Sequence, residues 1–177
     1  MYVKMESFST VVSLVKRNCY MASVDLKDAY CSVPIAQEHQ QYLKLLWKGQ
    51  LYKFVCFPNG LAFCPRKFTR LLKPVTSHLR QLSHLSVSDI DDSYLEGDDY
   101  SECAKNVLVT IKLFDSLGFT IHPSKSSLIP TQKLIILGFL IDSAEMKVYP
   151  TAEKIEKLKI ACNELLNNIS PKIWEVA

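Results

Sequence analysis

The stretch LSHLSVSDIDDSYLE, residues 82–96, sets two adjacent aspartates, Asp91 and Asp92, between two short runs. Leu82 to Ile90 and Ser93 to Glu96 read as strands, and the aspartates as the tight turn that joins them. Upstream, YMASVDL (20–26) reads as a buried strand with Asp25 at its end, closed off by Val33-Pro34-Ile35. Between these strands Pro65 opens a helix that runs to about Arg80, with Phe68, Leu71, Leu72, Val75 and Leu79 at helical spacing and Pro74 as a kink. Downstream, Ser101 to Leu117 reads as a helix closed by Gly118, followed by a strand from Phe119 to Ile121.

Strand, helix, strand, strand, helix, strand is the split βαβ order of ferredoxin-like sheets, so the fold class is α+β. A hairpin is inserted in it: Tyr42 to Trp47 and Leu51 to Phe57 flank a three-residue Lys48-Gly49-Gln50 loop. A second hairpin, Leu134 to Ile141 with Met146 to Tyr149, and an amphipathic helix, Ala152 to Leu166, follow the core. With 177 residues, 48% of them hydrophobic and 22% charged, the chain reads as one globular domain with appendages. No apolar run reaches the roughly 20 residues of a membrane span, so no membrane partner is expected and the location is read as intracellular, cytoplasmic or nuclear. The six cysteines show no paired C-x-x-C spacing and read as buried free thiols.

Charge is distributed unevenly although the net value is only +3. From His39 to Ser88 the chain carries Lys44, Lys48, Lys53, Arg66, Lys67, Arg70, Lys73 and Arg80 and no acid; from Asp89 to Glu102 it carries seven acids and no base. Phosphates select the first composition and divalent cations the second. Asp25 at a strand end beside the Asp91-Asp92 turn brings three carboxylates together. Such a cluster repels itself unless cations neutralise it, and paired divalent ions catalyse in-line phosphoryl transfer. Strand alternation puts Asp89 on the face of Asp91, with Asp92 on the other unless the turn rotates it. A metal nuclease would want a further acid or histidine cluster, which the sequence lacks.

Five motifs in order then carry a family resemblance: SVDLKDAYCSVP (23–34), FPNGL (57–61) with CPRKF (64–68), IDD (90–92), LGF (117–119) with PSK (123–125), and LGF (137–139). Together they resemble the palm motifs of retroelement reverse transcriptases, most of all those of gypsy-like and tyrosine-recombinase retrotransposons, over about residues 4 to 160. The resemblance implies a polymerase palm with an inserted fingers hairpin and a C-terminal primer-grip hairpin plus helix. Residues 1–168 would be the reverse transcriptase domain, with 33–64 the fingers insertion, 134–149 the primer grip and 169–177 the start of a missing connection region.

The same resemblance implies template-directed DNA synthesis with two Mg²⁺ ions, or Mn²⁺, on Asp25, Asp91 and Asp92, and with Lys125 near the pyrophosphate leaving group. Tyr30 would lie under the sugar of the incoming deoxynucleoside triphosphate and exclude a 2′-hydroxyl, and the Leu26 backbone would face a metal or phosphate. Asn59 and Gly60 would approach nucleotide and template. Arg66, Lys67, Arg70 and Lys73 would track an RNA or DNA backbone, and Leu137, Gly138 and Phe139 would hold the primer. Two departures stand out: Asp89 occupies a position that is usually aromatic, and the upstream basic strand that clamps the triphosphate is absent. They leave open the alternative of a catalytically inactive remnant that folds and binds nucleic acid, and they fit a segment of a longer polyprotein.

Overall fold

The computed structural model describes residues 8–82 and 84–167, with Leu85, Ser88 and Asp89 described by backbone alone. In chain order the elements are α1 (Phe8–Leu14), β1 (Tyr20–Lys27), 3₁₀ turns at Ala29–Ser32 and Gln37–Tyr42, β2 (Lys44–Trp47), β3 (Gln50–Lys53) and α2 (Cys64–Gln81). Then come β4 (Leu85–Asp89), β5 (Asp92–Gly97), α3 (Tyr100–Ser116), β6 (Thr120–Ile121), β7 (Ser127–Thr131), β8 (Lys133–Ile136), β9 (Phe139–Asp142), β10 (Lys147–Pro150) and α4 (Ala152–Asn167).

The main sheet is antiparallel with order β4-β5-β1-β6, and β7 also pairs with β1. This is the split βαβ order expected from the sequence. Alternation along β1 splits its side chains between two cores. Ala22, Val24 and Leu26 pack with Phe68 and Leu72 of α2 and with Val107 and Phe114 of α3. Met21 faces the other way, with Val87 and Tyr94, against Val11 of α1 and against Leu134, Ile136 and Ile141 of the β8-β9-β10 meander. Phe68 is fully buried between both helices and the sheet, so its truncation to alanine would cost about 3–5 kcal/mol.

Local chemistry fixes the ends of the helices. At α3 the Asp99 side chain accepts the Glu102 N–H at 2.8 Å, and the Glu102 carboxylate accepts the Asp98 N–H at 2.7 Å. Gly118, at φ +81°, ends the helix. In α2, Pro65 sits in the first turn and the helix continues past Pro74 to Gln81 as one element.

Several expectations shift. Asp92 is the first residue of β5 and not part of the turn, which is Ile90-Asp91 with Ile90 at φ +55°. The register then sets Asp89 opposite Asp92, so the strand alternation that paired Asp89 with Asp91 stops at the turn. The first hairpin has a two-residue loop: Lys48 and Gly49 both have positive φ (48° and 76°), a twist that joins strands directly, so Gln50 pairs with Trp47. The run Leu134 to Ile141 is broken by Leu137-Gly138 (φ 50° and 76°) into β8 and β9, making a three-stranded meander where one hairpin was expected. All six cysteines are free, but Cys31 and Cys162 are exposed and Cys56 is half-buried, against the expectation of buried thiols. The proposed connection region at 169–177 lies outside the described residues.

Candidate active site

Asp25 sits where β1 leaves the core, at 8% exposure, and two segments are tied to the strand's backbone there. Its N–H donates to Ser126 Oγ (3.0 Å), its C=O accepts the His122 N–H (2.8 Å), and the next N–H, that of Leu26, donates to the Asp91 C=O (2.9 Å). These bonds hold the 122–126 loop and the β4-β5 turn against one strand end. The result is a cleft of about 380 Å³ that Asp25, Leu26, Tyr30, Asn59, Asp91 and Lys125 all line. Residues from four separate motifs thus meet on one surface.

Asp92 and Gly60 do not line this cleft. Asp92 stands directly across from Asp25 in the antiparallel ladder, so the two side chains leave the same face of the sheet. Gly60 follows Asn59 at φ +87°, a conformation that demands glycine, and nothing lies within 4 Å of where a Cβ would stand. The Leu26 N–H is committed to Asp91, so that group is not free for a phosphate. Sequence reasoning missed Lys27, Asp28 and His122, which also line the cleft. Asp28 takes a left-handed conformation (φ 50°) that starts the 3₁₀ turn and swings Tyr30 round to the cleft.

Tyr30 serves two surfaces at once. Its ring meets Phe68 edge-on at 5.5 Å between centroids and packs on the helix-side core, while it walls the cleft. A ring held that way is a rigid steric stop.

Among the described residues no ion pair or hydrogen bond engages the Asp25 or Asp91 carboxylates, and no three His, Cys, Asp or Glu side chains are grouped closely enough to enclose a metal ion. The expected triad is therefore brought together in part: two unpaired carboxylates in the cleft and a third across the ladder. That donor set fits Mg²⁺, a hard cation usually held by one or two carboxylates plus substrate phosphates and water.

Arg66, Lys67, Arg70 and Lys73 are all exposed on α2, opposite the buried Phe68, Leu72, Thr76 and Leu79. Arg66, Arg70 and Lys73 fall within roughly 60° of helical arc, making a basic stripe, and Lys67 flanks it. Leu137, Gly138 and Phe139 do not line the cleft. They form the β8-β9 turn of the meander, which packs on the same sheet face that carries Asp25 and Asp92. Phe139 is clamped there: Phe8 stacks on it at 4.2 Å, and Lys154 Nζ lies 3.6 Å from the ring centroid while donating to the Leu137 C=O at 3.3 Å.

The family profile described as reverse transcriptase (RNA-dependent DNA polymerase) matches residues 2–141. A curated relative, the Gag-Pol polyprotein of Walleye dermal sarcoma virus, is 24% identical over 128 residues, which is 72% of this chain and 7% of that protein. The chain therefore spans only a small part of that relative's length. Among solved structures, the foamy viral protease-reverse transcriptase dRH in complex with ds DNA is similar at TM-score 0.73 and 21% identity, over 98% of this chain and 28% of that one. The foamy viral protease-reverse transcriptase in complex with RNA/DNA hybrid is similar at TM-score 0.73 and 22% identity, over 96% of this chain and 21% of that one. At these identities the structural likeness is one of fold.

Proposed function

The chain belongs to the reverse transcriptase (RNA-dependent DNA polymerase) family, and from that membership we propose that it is the template-directed DNA-synthesising part of a retroelement polyprotein. It extends a primer on an RNA or DNA template, taking nucleotidyl groups from deoxynucleoside triphosphates. The observation that carries this reading is the single cleft that gathers Asp25, Asp91, Tyr30, Asn59 and Lys125. Its motifs favour a gypsy-like or tyrosine-recombinase element. Residues 1–168 are then partial fingers and palm, with 33–64 the fingers insertion, 134–149 the primer grip and 169–177 the start of a connection region. The likeness to a Gag-Pol polyprotein supports a polyprotein context, and the nucleic-acid complexes among its structural neighbours support a duplex substrate.

Asp25 and Asp91, with Asp92 on the same sheet face as Asp25, would hold the two Mg²⁺ ions. Ions bound there would activate the primer 3′-hydroxyl and offset charge on the phosphates. The rest falls to the chain's own groups. Tyr30 presents a rigid ring against the sugar, where a 2′-hydroxyl would clash. Lys125 supplies a cation beside the leaving pyrophosphate. Asn59 offers an amide to the nucleotide, and Gly60 keeps the surface beside it open. The α2 stripe and the Leu137-Gly138-Phe139 turn hold the template–primer duplex.

Primer extension on an RNA template with Mg²⁺ or Mn²⁺ tests this. Asp25→Asn and Asp91→Asn should each abolish extension while leaving the fold and duplex binding intact. Undiminished extension by either variant would overturn the assignment. Duplex binding without extension by the unaltered chain would establish the inactive remnant instead.

A further inference from the structure

The Asp25 carboxylate has no bonded partner among the described residues, so the backbone of β1 decides where it stands. Along one edge of β1, β7 pairs with Met21 and Ser23 and β6 with Leu26 and Lys27, and Asp25 falls in the gap between the two pairings. Opposite that gap the chain leaves the sheet as the 122–126 turn. The turn closes on itself through the Ser126 N–H, which donates to the His122 C=O at 3.1 Å, and both of its ends are bonded to Asp25. His122 makes its bond with the backbone, donating its N–H to the Asp25 C=O at 2.8 Å. Ser126 makes its bond with the side chain, Oγ accepting the Asp25 N–H at 3.0 Å.

An antiparallel ladder continues through backbone carbonyls, and at this point a hydroxyl stands in for one. Asp25 is only 8% exposed, so its N–H depends on that acceptor. Lys125 immediately precedes Ser126 in the turn, is exposed, has no ion-pair partner among the described residues and lines the same cleft as Asp25. Its place is set by the turn that carries it. The Ser126 hydroxyl therefore stands between two groups of the cleft, the carboxylate on the strand and the ammonium on the turn.

We propose that Ser126 is a positioning residue: its hydroxyl holds the metal-binding carboxylate of Asp25 and the Lys125 cation in one fixed relation. The inference rests on the metal site and the leaving-group role proposed above, and adds the side chain that couples them. Replacing Ser126 by alanine removes one bond of three. The His122 N–H still reaches Asp25 and the Ser126 N–H still closes the turn, so the turn persists. What is lost is the acceptor for the one N–H that belongs to the carboxylate's own residue. The strand end then gains freedom where the cation must be held, and Lys125 is no longer tied to it at that side.

Mn²⁺ binding to the full chain, read from the paramagnetic resonance signal of the free ion, tests this without any need for extension. Ser126→Ala should weaken Mn²⁺ binding about ten-fold, the low end for a lost outer partner of a metal-holding residue. Ser126→Thr keeps the hydroxyl and should recover most of the affinity. Ser116→Ala, which removes a serine-to-carbonyl bond at the exposed end of α3, should change nothing. Thermal melts run alongside confirm that each variant folds. In primer extension, Ser126→Ala should raise the Mg²⁺ concentration for half-maximal rate and lower kcat, with KM for the duplex unchanged; a smaller folded fraction alone would leave the Mg²⁺ requirement where it was. Equal Mn²⁺ binding by the unaltered chain and Ser126→Ala, or no recovery in a folded Ser126→Thr, would overturn the proposal. Weaker Mn²⁺ binding by Ser126→Ala when even the unaltered chain fails to extend a primer would sustain it and sink the polymerase reading instead. Undiminished Mn²⁺ binding by Asp25→Asn would remove the metal assignment and this inference with it.

Discussion

Neutralising part of the α2 basic stripe should weaken duplex binding by an amount that the helix geometry sets. Arg66 to Lys73 spans about 10 Å at ~1.5 Å per residue, and phosphates on one strand recur about every 3.4 Å, so the stripe meets about three of them. That matches the three cations, Arg66, Arg70 and Lys73, that share one face. Three phosphate contacts give log–log salt dependence with a slope near −2.7, or a loss of about 40-fold in affinity between 50 and 200 mM salt. Arg70→Gln with Lys73→Gln removes two of the contacts, and the slope should fall to about −0.9, a loss of only about three- to four-fold over the same range. The substituted positions are exposed and face away from the core, so the fold should not change. Fluorescence anisotropy on a labelled primer–template duplex across that salt range reads both slopes, and binding should not depend on base sequence. Equal slopes for the two proteins, or affinity insensitive to salt, would refute the reasoning and move the duplex off α2.

Three further predictions concern stability. Gly97→Ala places a methyl group 2.3 Å from the Cys103 backbone nitrogen and 2.8 Å from its Cα, in the first turn of α3, so it should cost about 3 kcal/mol and lower Tm by about 5–10 °C in a thermal melt; an unchanged Tm would refute it. Glu96, 3% exposed, takes the Tyr94 hydroxyl at 2.6 Å but leaves Oε1 without a partner, and burial holds its carboxyl above the usual carboxylate range. Such a group binds its proton more tightly folded than unfolded, so stability falls as pH climbs from about 4 through the folded value, and Glu96→Gln should gain about 1–3 kcal/mol at pH 7 and little at pH 4 in urea titrations. Phe139→Leu keeps most of the apolar volume but loses the Phe8 stack and the Lys154 contact, which should cost about 1–2 kcal/mol by urea denaturation.

The order of the main sheet was legible because its elements carried their own signals: the buried run of β1, Pro65 opening α2, and Gly118 closing α3. What escaped depended on groups distant in sequence. The strand Ser127–Thr131 carries Pro130, which argues against a strand until one sees that it pairs only along β1. α1 is seven residues long, too short for helical periodicity to declare itself, and its place is fixed by Val11 packing under the meander. His122, just before the Pro123-Ser124-Lys125 motif, carries no signal of its own, and its backbone bond to Asp25 brings it to the cleft. Turn phases failed for a local reason. Ile90, Lys48 and Leu137 all take positive φ, which their side chains do not advertise, and each moves a strand boundary by one or more residues.

That the cleft opens at one end of the sheet follows from how β1 divides its faces. On the side away from α2 and α3, its residues run from Met21 through Ser23 to Asp25, apolar to charged. α1 and the meander bury Met21, Val87 and Tyr94, while the Asp25–Asp92 row lies toward the open end. Register makes this placement stringent. A slip of one residue between β1 and β5 would turn Asp25 toward the helix core and Val24 toward the cleft, burying a charge and exposing a core side chain together. The six-residue ladder from Tyr20↔Gly97 to Asp25↔Asp92 is held at its far end by Gly97, whose missing side chain lets α3 cross at contact distance. The carboxylates are thus positioned by apolar packing several residues away, which is why the strand pattern could place Asp25 before any partner for it was known.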